Sequence, residues 1–431
     1  AVNDTGVDYS HEDLAANIWV NPNEIAGNGL DDDGNGYIDD VHGIDAYNGD
    51  ADPYDDYSHG THVAGILGAV GDNATGVAGV NWNVKIMPLK AYNEDGLGTI
   101  SATIECLEYA MMMRSGYGIN IKLTSNSWGM LSYYSQALHD AIAQSADEGM
   151  LFVAAAGNFY NNNDVLPFYP ASYDLPNIIA VAATDREDEL ANFSDYGAVS
   201  VQLAAPGVEI LSTTPGNSYE FKNGTSMAAP HVAGAAALIW AQYPEFDYGE
   251  VKRLIINTVD PLQSLAGKVL SEGRLNIYNA LSCVPGDPKL FVMAPNQNFT
   301  AHVGFENKVS VSLTDCSSII AGATVGATPS QGGAPFVLHD DGLVLDARAN
   351  DGIYSGTWIP LTEGKVVLNI EAQYDGQSIT QSVGGQVIEI PVYEYDDQVA
   401  YEWEDATPGT QLVLGDDDDE VIPIGFDFTF Y

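Results

Sequence analysis

Apolar and polar positions follow two different rhythms along this chain, and the rhythm changes near residue 285. Before that point, "VKIMPLKAY", "IKLTSNSWG", "LFVAAAGN", "NIIAVAAT" and "VQLAAPG" are short apolar runs bounded by Gly, Asn or Pro, and they predict buried strands. Between them, "TISATIECLEYAMMMRSG" and "YSQALHDAIAQSADEG" show helical spacing and end in glycine, as helix C-caps do. "HGTHVAGILGAV" predicts a further helix of small residues. "GTSMAAPHVAGAAALI" carries no charge from Met227 to Ile239, which predicts a helix buried all round. Ser226 stands at the mouth of that helix, either as an ordinary N-cap or as a nucleophile or anion contact near the positive end of the dipole. Strands alternating with helices predict an α/β fold, a parallel sheet with helices on both faces and ligand sites at the carboxyl ends of the strands.

After "LSCVPGDPKL", runs such as "HVGFENKVSVSL" and "KVVLNIEAQY" alternate with glycine turns and lose the helical period. They predict a β-sandwich over residues 286–395. Residues 396–431 predict the start of a further β module, truncated in mid-strand. At the other end, "AVNDTGVD" reads as a strand already under way, so a fragment or a processed form is expected.

Composition adds a charge argument. The 431 residues are 45% apolar, and 60 acids against 14 Lys plus Arg give a formal charge of −46. That balance argues against nucleic acid or anionic lipid as a partner, and suits salty surroundings or bound calcium. No apolar run is long enough to span a membrane. Of the three cysteines, Cys106 falls in an apolar-periodic run and is expected as a buried thiol. Cys283 and Cys316 are left open between a bridge at the domain junction and free thiols.

Three short motifs bear on chemistry. "DTGVD" puts Asp4 at the carboxyl end of the first strand, "HGTHVAG" puts His59 at the start of a buried helix, and "GTSMAAPHVAG" does the same for Ser226. If these ends share one rim of the sheet, the three groups make a nucleophile, its general base and the carboxylate that fixes the base's tautomer. His62 and His231 lie inside their helices and are expected to be structural. An α/β-hydrolase fails, since Ala228 stands where its motif needs glycine and the acid and histidine come before the serine.

Together with "AAAGN", these motifs resemble those of the subtilisin-like serine proteases, the subtilase family, and the order Asp…His…Ser is that of subtilisin. The resemblance covers residues 1 to about 283. It implies a catalytic triad of Asp4, His59 and Ser226, with Asn158 as side-chain donor to the oxyanion. It also implies that Ser127, Trp128 and Gly129 pair with extended substrate and wall a specificity pocket opposite Ala155, Ala156 and Gly157. Asn3 departs from the family's usual apolar residue beside the catalytic aspartate, and family members usually need a pro-segment to fold.

Within the long stretch between Asp4 and His59, "GNGLDDDGNGYIDD" matches the first half of a calcium loop. Asp31, Asp33 and Asn35 alternate, Tyr37 offers its carbonyl, and Asp39 and Asp40 follow, with His42 at position twelve in place of glutamate. A solvated acidic loop is the alternative. Asp340, Asp341, Asp346 and Asp351 are read either as calcium ligands or as turn residues, and "DDDDE" (416–420) as a solvated loop. The expectation is a secreted, monomeric, calcium-stabilised endopeptidase acting on polypeptides, with β modules available for cell-surface or polysaccharide contact. Its rival is an adhesion or carbohydrate-binding protein that keeps the protease-like domain as a scaffold.

Overall fold

The computed structural model describes residues 1–389 apart from 287, 296–297, 332, 344–349 and 351. Asp346, Asp351, the "DDDDE" run and the segment 396–431 therefore lie outside the described residues.

In chain order the first region comprises β1 (Val2–Asp4), β2 (Ile44–Asp45), α1 (His59–Gly68), β3 (Pro88–Lys90), α2 (Ile100–Ser115) and β4 (Leu123–Asn126). There follow β5 (Met130–Leu131), α3 (Gln136–Asp147), β6 (Leu151–Ala155), β7 (Phe168–Tyr169), β8 (Ile178–Thr184) and β9 (Leu203–Pro206). The hairpin β10 (Ile210–Thr214) and β11 (Ser218–Lys222), the long α4 (Thr225–Gln242), α5 (Tyr248–Asn257), β12 (Asp260–Pro261), β13 (Gly273–Arg274) and α6 (Ile277–Leu281) complete it. The expected strands and helices form where the apolar runs stand. The hairpin and α5 are additional, and α5 opens on a capping box between Asp247 and Glu250.

The main sheet runs β12-β13-β9-β8-β6-β4-β1-β3-β2, parallel throughout except for the β12–β13 pair. Every residue of β6 and β8 is buried, because each face meets a different core. Val153, Ala155, Ile179 and Val181 point to the side of α1 and α4. Phe152, Ala154, Ala180 and Ala182 point to the side where Leu107 of α2 and Leu138 of α3 pack. Two covered faces explain why these strands read as continuous apolar runs instead of alternating ones. Sequence order reverses about β1, whose neighbours are β3 on one side and β4 on the other. Ligands of open α/β sheets bind at such a switch point.

In the second region, Lys289–Ala294, Asn307–Asp315, Ser318–Ile319 and Ile353–Trp358 form one sheet. Phe299–His302, Thr324–Pro329, Phe336–Leu338, Gly364–Tyr374 and Gln377–Ile388 form another. Both contribute to one core, with Val309, Val311 and Leu313 from the first and Val325, Leu368 and Ile370 from the second. This is the expected all-β architecture. Asp340 accepts from Gly352 N–H at 3.1 Å and Asp341 from Leu343 N–H at 3.0 Å, the bonds of turn residues.

Both regions belong to one compact unit, Ala1–Glu389. Cys283 and Cys316 form a disulfide, and Cys316 is buried in the core that lies under α4 and α5. Arg253 Nε donates to the Ser317 carbonyl at 2.6 Å, and Thr314 Oγ1 donates to Asn257 Oδ1 at 3.0 Å, so α5 holds the same turn. Closing a loop of 33 residues removes about 3–4 kcal/mol of chain entropy from the unfolded state. Cys106 is a buried free thiol, and burial pushes its ionisation up.

Candidate active site

The strands β1, β4 and β6 are neighbours in the sheet, and the candidate residues lie at their carboxyl ends or at the helices packed there. Asp4 ends β1 and is buried. Its Oδ1 accepts from the Thr5 backbone N–H at 2.8 Å and lies 2.7 Å from His59 Nδ1. An imidazole that donates through Nδ1 leaves Nε2 as the basic nitrogen. Burial by itself would lower the His59 pKa, but the Asp4 charge and hydrogen bond, with the Asp55 charge behind them, outweigh it and raise the value above 6.5.

Helix α1 is held against Asp4 by groups that the sequence analysis missed. Asp55 is fully buried. It accepts from Tyr57 N–H and Ser58 N–H through Oδ1 and from Thr61 N–H and Thr61 Oγ1 through Oδ2. It thus satisfies orphan donors at the helix N-terminus, where a negative charge is stabilised. Thr5 Oγ1 donates to Asp55 at 2.8 Å and accepts from Gly60 N–H at 2.9 Å, tying α1 to the end of β1. Glycine is required at position 60, since a Cβ there would come within 2.0 Å of the Gly6 carbonyl oxygen. The signal in the sequence was an aspartate four residues before the histidine.

Ser226 is not an N-cap. Gly224 occupies the cap with φ +155, and Ser226 is the second residue of α4. Pro230, inside the same helix, has no N–H to donate four residues back. The Ser226 carbonyl thereby freed accepts from Ser127 Oγ at 2.9 Å, and Ser226 Oγ donates to the Ser127 carbonyl at 3.1 Å. Trp128 Nε1 donates to the Asn3 carbonyl at 3.0 Å, so the segment after β4 is tied to β1 on one side and α4 on the other. Asn3 itself is buried, with Nδ2 3.4 Å from the Thr103 carbonyl. Among the hydrogen bonds of the described residues, the Ser226 hydroxyl is directed to Ser127 and not to His59. Catalytic hydrogen bonds of this kind are often loose until substrate is bound.

Asn158 follows β6. Its Oδ1 accepts from Thr225 N–H at 2.8 Å and from Thr225 Oγ1 at 3.0 Å, which fixes the amide so that Nδ2 is the free donor. That nitrogen and the Ser226 backbone N–H lie beside the space over Gly224: a Cβ built there would be 3.7 and 3.5 Å from them. Asp195, also missed from sequence, is buried and takes Phe159 N–H at 2.7 Å and Asn161 N–H at 2.8 Å, holding the chain on the far side of Asn158. Burial raises its pKa.

His62 and His231 occupy the structural positions expected. His231 Nδ1 donates to the Met227 carbonyl at 2.8 Å. His62 is fully buried, with Nε2 3.1 Å from the Ile210 carbonyl and 3.0 Å from that of Glu220, so it holds the β10–β11 hairpin to α1. Burial lowers its pKa to about 4. The folded value lies below the unfolded 6.5, so its contribution is complete above pH 6.5 and is lost as pH falls toward 4. The total is about 3 kcal/mol at 1.4 kcal/mol per unit. Denaturant unfolding at pH 7 and pH 4.5 should show this loss, and His62→Gln, which keeps an N–H donor, should reduce the pH difference by about 2 kcal/mol. An unchanged difference would remove His62 from the acid response.

In the acidic loop, Asp31 and Asp33 come together with Glu24, with one carboxylate oxygen from each within 4.8 Å of the others. Glu24 was not foreseen. Its Oε1 accepts from Asp32 and Asp33 N–H, whereas Oε2 is buried without a hydrogen-bond partner. Asn35 lies beside them, its N–H bonded to both Asp31 and Asp33 and its Oδ1 to Tyr37 N–H. The Asp39 and Asp40 carboxylates are engaged elsewhere. Asp39 caps Asn28 and Gly29 N–H, and Asp40 is buried against Tyr109, Asn35 and Asn21. Three carboxylates this close repel by about 0.9 kcal/mol per pair even at the dielectric constant of water. An all-oxygen donor set with one orphaned buried oxygen fits a hard cation such as calcium.

These features converge on one class. The profile described as "Subtilase family" matches residues 1–280, and the chain belongs to that family of serine peptidases. It is 36% identical to Subtilisin-like protease 1 of Plasmodium berghei (strain Anka) over 296 residues, 64% of this chain and 48% of that protein. It is 38% identical to the Thermophilic serine proteinase of Bacillus sp. (strain AK1), over 65% of this chain and 61% of that one. A solved structure of a cold adapted subtilisin-like serine proteinase aligns at 28% identity and TM-score 0.49, covering 64% of this chain and 85% of its own. The chain spans about half the length of the Plasmodium relative. Among the described residues, no helix is long and apolar enough to cross a membrane.

Proposed function

We propose that this chain is a secreted, calcium-stabilised serine endopeptidase whose residues 1–283 carry the catalysis, with the β-rich residues 286–395 as an appended module. The observation that carries the reading is the Asp4–His59 pair facing the same rim as Ser226 and the oriented Asn158 amide. Substrate lies extended along Ser127, Trp128 and Gly129, opposite Ala155, Ala156 and Gly157, where main-chain pairing gives sequence-tolerant affinity. His59 Nε2 takes the Ser226 proton as Oγ attacks the peptide carbonyl, and Asp4 stabilises the imidazolium. Negative charge on the former carbonyl oxygen is met by Asn158 Nδ2 and the Ser226 N–H. A side-chain donor of this kind contributes about 3 kcal/mol to the transition state. The imidazolium then protonates the leaving amine, and a water activated by the same histidine releases the acid. A fluorophosphonate probe tests the reading directly. It should label Ser226, and failure on correctly processed, folded protein would move the function to the β-rich region.

Glu24, Asp31 and Asp33 would hold the calcium ion, which cancels their mutual repulsion and clamps the insertion between Asp4 and His59. Saturated at about 100 times its dissociation constant, such a site adds about 2.7 kcal/mol. Chelation is therefore expected to lower the melting temperature by about 3–5 °C, read by calorimetry with and without EDTA. Identical melting curves would remove calcium from the account.

A further inference from the structure

Gly129 and Gly157 belong to opposite walls of the proposed substrate slot, and the same aromatic ring occupies the space beside both. A Cβ at Gly129 would come within 2.3 Å of Phe168 Cε1, and one at Gly157 within 3.0 Å of Phe168 Cγ. The ring therefore bridges the interval between the walls, and it is only 5% exposed. Its backbone is held in place. Phe168 pairs with Leu131 where the chain leaves the first wall, Ser132 N–H donates to the Pro167 carbonyl at 2.8 Å, and Phe168 N–H donates to Ser172 Oγ at 3.1 Å. The ring belongs to the same buried core cluster as Phe152, Ala154 and Ala156, and close-packed interiors leave little room for a side chain to shift. Beside it, the Asp195 Oδ2 atom, buried and without a hydrogen-bond partner, would lie 2.0 Å from a Cβ at Gly157. The slot is closed at its base by a ring and a carboxylate oxygen.

We propose that Phe168 is the specificity-determining residue of this site, and that it restricts the substrate residue on the acyl side of the scissile bond to small side chains such as Ala, Ser or Gly. The inference rests on the endopeptidase reading above. A long or aromatic side chain entering between the walls would meet the face of a fixed ring, and a mismatch of even one methylene in such a pocket changes kcat/KM by about 10- to 200-fold.

The test is a panel of peptides that differ only at that residue (Ala, Ser, Leu, Phe, Arg), with kcat/KM measured on the whole chain in calcium buffer. Ala and Ser should exceed Phe by at least about tenfold, and Phe168→Ala should raise the Phe-to-Ala ratio by at least about tenfold. Phe168→Val, a milder truncation of this core position, should move the ratio in the same direction and decides the matter if the alanine variant does not fold. A wild-type preference for Phe or Leu overturns the proposal, as does a ratio unchanged in a folded variant. Fluorophosphonate labelling of Ser226 separates the two levels. Labelling with the wrong size preference defeats the role of Phe168 alone, whereas absence of labelling defeats the protease reading on which it stands.

Discussion

Ser226→Ala is expected to leave the protein folded and to lower kcat by about 10⁶-fold, the magnitude known for loss of the serine in subtilisin, a member of the same family. The reason lies in what the hydroxyl does in the resting fold. Among the described residues it donates to the Ser127 carbonyl at 3.1 Å, while the shorter tether at this point, Ser127 Oγ to the Ser226 carbonyl at 2.9 Å, uses the Ser226 backbone and survives the substitution. Circular dichroism and melting temperature should therefore match the parent within about 1 kcal/mol. Cleavage of a protein substrate, followed by appearance of new amino termini, should fall to a residue supported by the Asn158 amide and substrate binding. Undiminished hydrolysis would place the nucleophile elsewhere in the chain.

Asp4→Asn is expected to cost about 10⁴-fold in kcat, because an amide in place of the carboxylate favours the wrong imidazole tautomer and leaves the imidazolium unsupported. It also carries a signature in pH. His59 acts as base only when neutral, so kcat/KM should rise with pH through the His59 pKa, which stands above 6.5 in the parent. Burial opposes the charged ring and Asp4 is the first of the groups that favour it. With that charge removed, burial dominates and the acid limb should move below its parent midpoint. Lys222, whose charge also opposes the imidazolium, remains and pushes the same way. A variant as active as the parent, or an acid limb displaced upward, would contradict the Asp4–His59 coupling.

The arrangement also shows why the insertion and the hairpin matter to a rim built from three strands. The N-terminal turn of α1, which carries His59, is fixed by Asp55 at the end of the insertion, and α1 is fixed from the other side by His62 holding β10–β11. Loosening either would tilt the imidazole without touching a catalytic atom, and displacements of about 1 Å suffice to cost about 10²-fold in rate.

What the sequence determined by itself was local and periodic. Continuous apolar runs marked β6 and β8 because both of their faces are covered, and small-residue helices announced α1 and α4 because backbones approach closely there. The four motifs around Asp4, His59, Asn158 and Ser226 were legible because each is a short run with its own spacing. Only the tertiary structure decided the partners. Asp55, Asp195 and Glu24 read as ordinary acids, and Phe168 as one more apolar residue, until folding set Asp55, Asp195 and Phe168 against groups remote in the chain and closed the loop of Glu24 on itself. Likewise the spacing of acids in the loop suggested a set of carboxylates, but the fold chose Glu24 to face Asp31 and Asp33, and turned Asp39 and Asp40 to other donors. The physical reason is that spacing along a chain records which face a residue presents, whereas hydrogen-bond partners and steric neighbours are set by how those faces pack.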